Sequence, residues 1–202
     1  MIVAVRKGYR IVVGLIFPVL YYFSPDKLLS IAAVMFFLGL VTALEIARKA
    51  NPLAWVWICK RSRGAFKEKS GLILGETYFL LSTLFCIVFL ERSIALCALL
   101  FLTFGDAAST IIGVRFGTRR FFNNKSIEGS LALLAVSVAV GFLLRLAPGI
   151  YLGVWIVLIG AFVAMIAEAA PLPVDDNFTV AAFSGMAMQI AARLLFQYEL
   201  IL

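Results

Sequence analysis

Residues 93–117 read SIALCALLFLTFGDAASTIIGVRFG, and the fold turns on how this stretch is read. An apolar run of this length suits a helix crossing a bilayer, because a hydrocarbon core about 30 Å thick takes roughly 20 helical residues. Yet an aspartate, Asp106, interrupts it, followed by small residues and then by Arg115. Gly105, Ser109 and Gly113 recur every four residues, a stripe that lets a second helix approach closely. At 1.5 Å per residue Asp106 lies roughly 10 Å along the axis from Gly113, inside the membrane but within reach of a water-filled cavity. A carboxylate at that depth costs roughly 2.5–3.5 kcal/mol on insertion scales, so Asp106 is a functional candidate; an ion pair with an arginine of another helix is the plainer alternative.

The rest of the chain has the same character. Of its 202 residues 63% are hydrophobic and 14% charged, and the mean hydropathy is +1.05, too apolar for a soluble domain to cover with polar surface. The apolar segments do not alternate with polar residues, which favours helices over the strands of a membrane barrel. Spans are predicted near 8–24, 28–47, 71–90, 93–113, 129–147, 150–169 and 178–198, the first of them uncleaved. The expectation is an all-α polytopic membrane protein of about seven transmembrane helices, one domain over residues 1–202. The stretch NPLAWVWICKRSRGAFKEKSG, residues 51–71, mixes Trp55 and Trp57 with basic residues and reads as interfacial.

Basic residues set the expected orientation. With the N-terminus inside, fourteen of the 18 Lys and Arg fall on the cytosolic side, leaving Lys27, Arg92, Arg145 and Arg193 opposite. Much of that bias needs only topology and attraction to anionic lipid. The acids are another matter, since Glu45, Glu76, Asp106, Glu168, Asp175 and Asp176 all fall at the cytosolic ends of the predicted spans. The expected location is the inner (plasma) membrane or its equivalent, with the N-terminus and the functional groups on the cytosolic face.

The chain has no histidine, and its three cysteines have no paired spacing, which excludes a histidine general base, a His/Cys zinc site and a disulfide framework. Polar chemistry then falls to carboxylates, amides, hydroxyls, Lys and Arg, with an oxygen-preferring divalent ion. In PLPVDDNFTV, residues 171–180, one capping residue would suffice to start a helix, whereas Asp175, Asp176 and Asn177 offer three consecutive oxygen donors suited to Mg²⁺. In RFGTRRFFNNKSIEGS, residues 115–130, Lys125 and Ser126 lead into a helix whose free N–H groups suit phosphate oxygens, with Arg115, Arg119 and Arg120 as further clamps or topological anchors. Acids for Mg²⁺ beside basic groups for a polyphosphate suffice for phosphoryl transfer, which needs little beyond positioning and charge neutralisation.

GDAASTIIGVRFG, NKSIEGS and PLPVDDNFTV, in this order and spacing, resemble the CTP-dependent lipid-alcohol kinases: dolichol kinase, phytol kinase and the yeast-type diacylglycerol kinase. GETYFLL at 75–81 and RKGYRIVVG at 6–14 extend the likeness over nearly the whole chain. The resemblance implies transfer of the CTP γ-phosphate to a membrane lipid hydroxyl with Mg²⁺. It implies Asp106, Asp175, Asp176 and Lys125 as catalytic, and Asp106, Asp175, Asp176 and Asn177 as metal ligands. Gly105, Ser109, Arg115, Gly117, Arg120, Asn124, Lys125, Ser126, Glu128 and Gly129 fall on the nucleotide side, with Glu76 and Glu168 assigned to the lipid side. Arg10 stands where many relatives carry histidine, and Glu76 replaces a small residue.

Phosphatidate cytidylyltransferases share part of the pattern but end in HGG and DRxD segments, neither of which occurs here. They form the first alternative, and a small transporter or membrane scaffold the second. The expected partners are CTP, a lipid alcohol and the bilayer. No nucleic acid is expected, and small-residue stripes leave a homodimer open.

Overall fold

The computed structural model describes residues 2–51, 74–120 and 125–199. Apart from Asn51 the interfacial stretch lies outside these residues, as does Asn124. The described residues form seven helices: α1 Ile2–Phe23, α2 Lys27–Ala50, α3 Gly75–Phe89, α4 Arg92–Phe116, α5 Ile127–Leu144, α6 Val154–Ala169 and α7 Asp176–Glu199. Each predicted span finds its helix. Four contain segments long and apolar enough to cross a bilayer (Lys27–Ala50, Arg92–Phe116, Ile127–Leu144 and Asp176–Leu195), and the apolar parts of the other three are shorter. The protein is an all-α polytopic membrane protein.

Local chemistry explains where helices start and stop. Asp26 accepts a hydrogen bond from the N–H of Leu28 to begin α2, and Ser126 accepts one from Gly129 to begin α5, each meeting one of the free donors of a first turn. Asp175 does the same for α7 through the N–H of Asn177. Between α5 and α6, Gly149 adopts a φ of 74°, a left-handed turn that suits glycine.

Helix α4 occupies the middle. About two-thirds of its most apolar window is buried within the bundle, against 17% for the peripheral α2. Residues 94–99 are all buried. The surrounding helices close on this core through small residues: a Cβ on Gly141 of α5 would stand 2.5 Å from Val157 of α6, and one on Gly160 of α6 would stand 2.5 Å from Met188 of α7. In a bilayer such contacts gain dispersion energy rather than shelter from water, which is why small residues mark the interfaces.

One irregularity matters for the site. Within α4 the five residues Phe101–Gly105 form a π-turn, and Asp106 begins the α-helical half beyond it. Such a turn inserts an extra residue and re-aims the side chains on its C-terminal side. Thr103 donates to the carbonyl of Leu99 at 2.8 Å and packs against Gly14 of α1, where a Cβ would meet its methyl at 2.9 Å.

Successive helices run in opposite directions. The starts of α1, α3, α5 and α7 therefore meet the ends of α2, α4 and α6, gathering Arg10, Glu45, Glu76, Asp106, Lys125, Glu168 and Asp176 at one end of the bundle.

Candidate active site

Two polar compartments share this end, separated by one turn of α4 and the first turn of α7. The first centres on Lys125, in the segment before α5. Its ammonium lies 2.8 Å from Glu168 Oε1 of α6 and 2.9 Å from Asp176 Oδ2 of α7. The Glu168 side chain is only 3% exposed and is also held by two hydroxyls: Ser109 of α4 donates to Oε1 at 2.9 Å and Ser130 of α5 to Oε2 at 3.1 Å. One buried carboxylate thus ties three helices and a loop together. Burial acts to lower the pKa of Lys125, but the charges of Asp176 and Glu168 and their hydrogen bonds outweigh it, and the ammonium is held above the ordinary lysine range.

The approach to α5 is fixed by its own hydrogen bonds. Glu128 Oε1 accepts from the N–H and hydroxyl of Thr118, Ile127 donates to the carbonyl of Arg119, and Arg120 bridges Ser126. Glu128, assigned to the nucleotide side, shapes the loop through Oε1. Gly105, Ser109 and Gly113 face α5 as the stripe predicts. A Cβ on Gly105 would press on Leu133 and Ser137, one on Gly113 would stand 2.9 Å from Ser126 Oγ, and one on Gly129 would stand 2.8 Å from the Ser109 carbonyl. Gly117 has no room either, since a Cβ there would run into the Gly113 carbonyl. Gly105, Gly117 and Gly129 thus serve the close approach of α4, α5 and the loop. Arg115, Arg119 and Arg120 are exposed around this end.

The second compartment is a cavity of about 380 Å³ between α1, α2, α3 and the π-turn. Its walls are almost wholly apolar, and its polar side chains are Arg10, Glu76, Asp106, Asn177 and Thr103, the last with its hydroxyl turned to the Leu99 carbonyl. Glu45, grouped with the acids by the sequence but given no role by it, braces this wall. Buried on α2, it accepts from the N–H of Leu74 at 2.6 Å and the hydroxyl of Thr77 at 2.7 Å, fixing the start of α3 where Gly75 and Glu76 face the cavity.

The compartments interlock. On α4 Asp106 faces the cavity, and Ser109, three residues on, faces Glu168. On α7 Asp176 faces Lys125, and Asn177 faces the cavity. Glu168, grouped by sequence with Glu76 on the lipid side, belongs instead to the Lys125 cluster; the reach of Lys125 across 43 residues of chain brings it there, a pairing no local pattern signals. Asp175, read as one of three consecutive donors, caps α7: its Oδ1 accepts both the N–H and the side-chain amide of Asn177. Burial raises its pKa above the usual aspartate range, the Asn177 N–H opposes this, and the neighbouring Asp176 charge adds to it.

Among the described residues no three His, Cys, Asp or Glu side chains converge on a metal position. The donors are nevertheless all oxygen. They fit Mg²⁺, which keeps several waters and takes one or two carboxylates together with substrate phosphates.

No protein-family model matches the chain, and no solved structure does. Over 136 residues it is 31% identical to the CTP-dependent diacylglycerol kinase 1 of Eremothecium gossypii, a match covering 56% of this chain and 43% of that protein. It is also 26% identical over 179 residues to an uncharacterised protein of Methanocaldococcus jannaschii, covering 85% and 87%. The chain thus spans less than half of the kinase it matches, and over that part it is similar to a CTP-dependent lipid kinase.

Proposed function

We propose that the protein transfers the γ-phosphate of CTP to the hydroxyl of a membrane lipid alcohol, of the diacylglycerol or polyprenol type, at the cytosolic face of its membrane. The observation that carries this reading is the joining of a charged pocket to an apolar cavity through consecutive residues, Asp176 and Asn177, and through Asp106 and Ser109 on one helix. A polyphosphate and a lipid can meet there without either entering the other's compartment.

The chemistry asked of the residues is modest. Phosphate oxygens compete with Asp176 and Glu168 for the Lys125 ammonium, the first N–H groups of α5 being already taken by Arg119 and Ser126. Asp176, released from Lys125, and Asp106 would hold Mg²⁺, which supplies charge neutralisation on the phosphates. The lipid oxygen forms a bond to the γ-phosphorus, the bond to the β-phosphate oxygen breaks, and CDP leaves. The hydroxyl proton passes to a carboxylate facing the cavity, Glu76 or Asp106. Apolar walls keep water from competing for the phosphoryl group.

The test is a transfer assay on purified protein with Mg²⁺ and CTP labelled at the α- or γ-phosphate. Label from the γ position on an alcohol is the expected result. Label from the α position on phosphatidate would make the protein a cytidylyltransferase, and transfer from neither would remove the enzymatic reading.

A further inference from the structure

We infer that the 380 Å³ cavity is filled sideways from the bilayer by one hydrocarbon chain of the substrate, and that Arg10 selects an ester-linked lipid by binding its acyl carbonyl. This rests on the lipid-kinase reading for what happens to the bound alcohol, but not for its binding.

The direction of filling comes from the walls. Ile16, Phe37, Leu40 and Leu44 line the cavity, yet each is 44–47% exposed on the outer flank of α1 and α2. Residues that face both the cavity and the lipid are the lips of a lateral opening. Inside, Phe17 is buried, packing edge-on against Phe37 at 5.6 Å between ring centres and at a tilt against Phe79 at 6.2 Å, and forms an apolar floor. Nothing on these surfaces offers a polar ligand a hydrogen bond, so the occupant here is hydrocarbon.

The polar end points to the group that lies between chain and hydroxyl. One Nη2 of Arg10 and the Nδ2 of Asn177 each lie 3.0 Å from the point where a Cβ of residue 75 would stand, so glycine there lets both reach the cavity. The Asn177 amide is already engaged with Asp175. Arg10 has no hydrogen-bond or ion-pair partner among the described residues. It is half-buried, permanently charged and carries five donors. A polyprenol brings one oxygen, its hydroxyl, to this end. An ester-linked glycerol brings that hydroxyl and, a few bonds away, carbonyl oxygens that are acceptors only, matching a group that can only donate. Phosphate is the other acceptor an arginine could serve, but Lys125 and the start of α5 gather on the far side of Asp176.

The experiment compares a diacylglycerol, its dialkyl ether analogue without carbonyls, and a polyprenol, using full-length protein in lipid nanodiscs. Wild-type protein should favour the diester over the diether by about tenfold in kcat/KM, the size expected of one hydrogen bond to a charged donor. Arg10→Gln should erase that preference, with folding of the variant read separately as an unchanged melting temperature and helical circular dichroism. Equal use of diester and diether by wild-type protein would overturn the inference. So would an Arg10→Gln variant whose KM for CTP rises equally with every lipid, since Arg10 would then serve the nucleotide. Native mass spectrometry of the same lipids without nucleotide separates the two readings: diester retention without any phosphorylation would sink the kinase assignment and keep the cavity assignment.

Discussion

The two ends of the bundle both carry charged groups but use them differently. At the end opposite the cavity, Arg92 donates one guanidinium nitrogen to the carbonyls of Tyr21, Tyr22 and Ser24 at 2.7–2.8 Å. Lys27 donates to the carbonyl of Val88, and Glu91 and Gln189 exchange two hydrogen bonds. Each of these charges is bound to neutral groups at helix ends. At the other end Glu45, Glu128 and Asp175 also hold neutral groups, but Lys125 binds charges, Glu168 and Asp176. A cation held by backbone carbonyls cannot change partner without fraying a helix. A cation held by carboxylates can be taken over by a phosphate, which offers the same oxygen chemistry. The first arrangement staples the fold, and the second is built for exchange.

The sharpest way to break this contrast is at Asp106. Asp106→Asn should leave an inserted, folded protein whose transfer rate falls by about a hundredfold or more, measured as initial velocity at saturating CTP. Near-normal turnover would remove Asp106 from the chemistry. Next comes Lys125→Ala, which leaves Glu168 buried without its cation and should destabilise by about 3–5 kcal/mol. Adding Glu168→Gln should recover most of the thermal stability and none of the activity. If the double variant is active, Lys125 is only a structural partner. At the other end, Arg92→Ala should lower stability by about 1.5–3 kcal/mol while the rate per folded molecule stays unchanged. A selective loss of rate would show that the two ends are not separate in function. The smallest effect is expected of Gly129→Ala, whose Cβ would meet the Ser109 carbonyl at 2.8 Å. Moving α5 off α4 should cost about 1–3 kcal/mol and weaken CTP binding, read as a lower melting temperature and a raised KM.

Much of the fold was legible because crossing a bilayer is a strong constraint. Every predicted span has its helix, the Gly105, Ser109, Gly113 stripe faces a close neighbour, and Ser126 caps α5. The acids gather at one end because alternating helices carry them at alternating termini. The pairings were not legible. Helices that are apolar all round, some facing lipid and some facing protein, carry little rotational signal, so sequence could not tell that Glu168 turns toward Lys125 or that Glu45 reaches α3. Local reading also treats Asp175, Asp176 and Asn177 as one run. The first turn of α7 instead gives each a different direction, toward the cap, Lys125 and the cavity. The cavity itself draws its lining from five helices and has no linear signature.

The π-turn in α4 gives the helix a change of phase. Residues up to Leu100 keep their rotational setting against the core, while Asp106 and everything after it are offset by the additional residue held in the turn. Winding the same five residues as regular α-helix, with none removed, would swing the second half by about 100°, the angle one residue occupies around an α-helix. The first half would stay seated, yet Asp106 would leave the cavity and Ser109 would leave Glu168 in the same movement. Both compartments are therefore timed by one five-residue segment, Phe101–Gly105, in which no residue carries a charge.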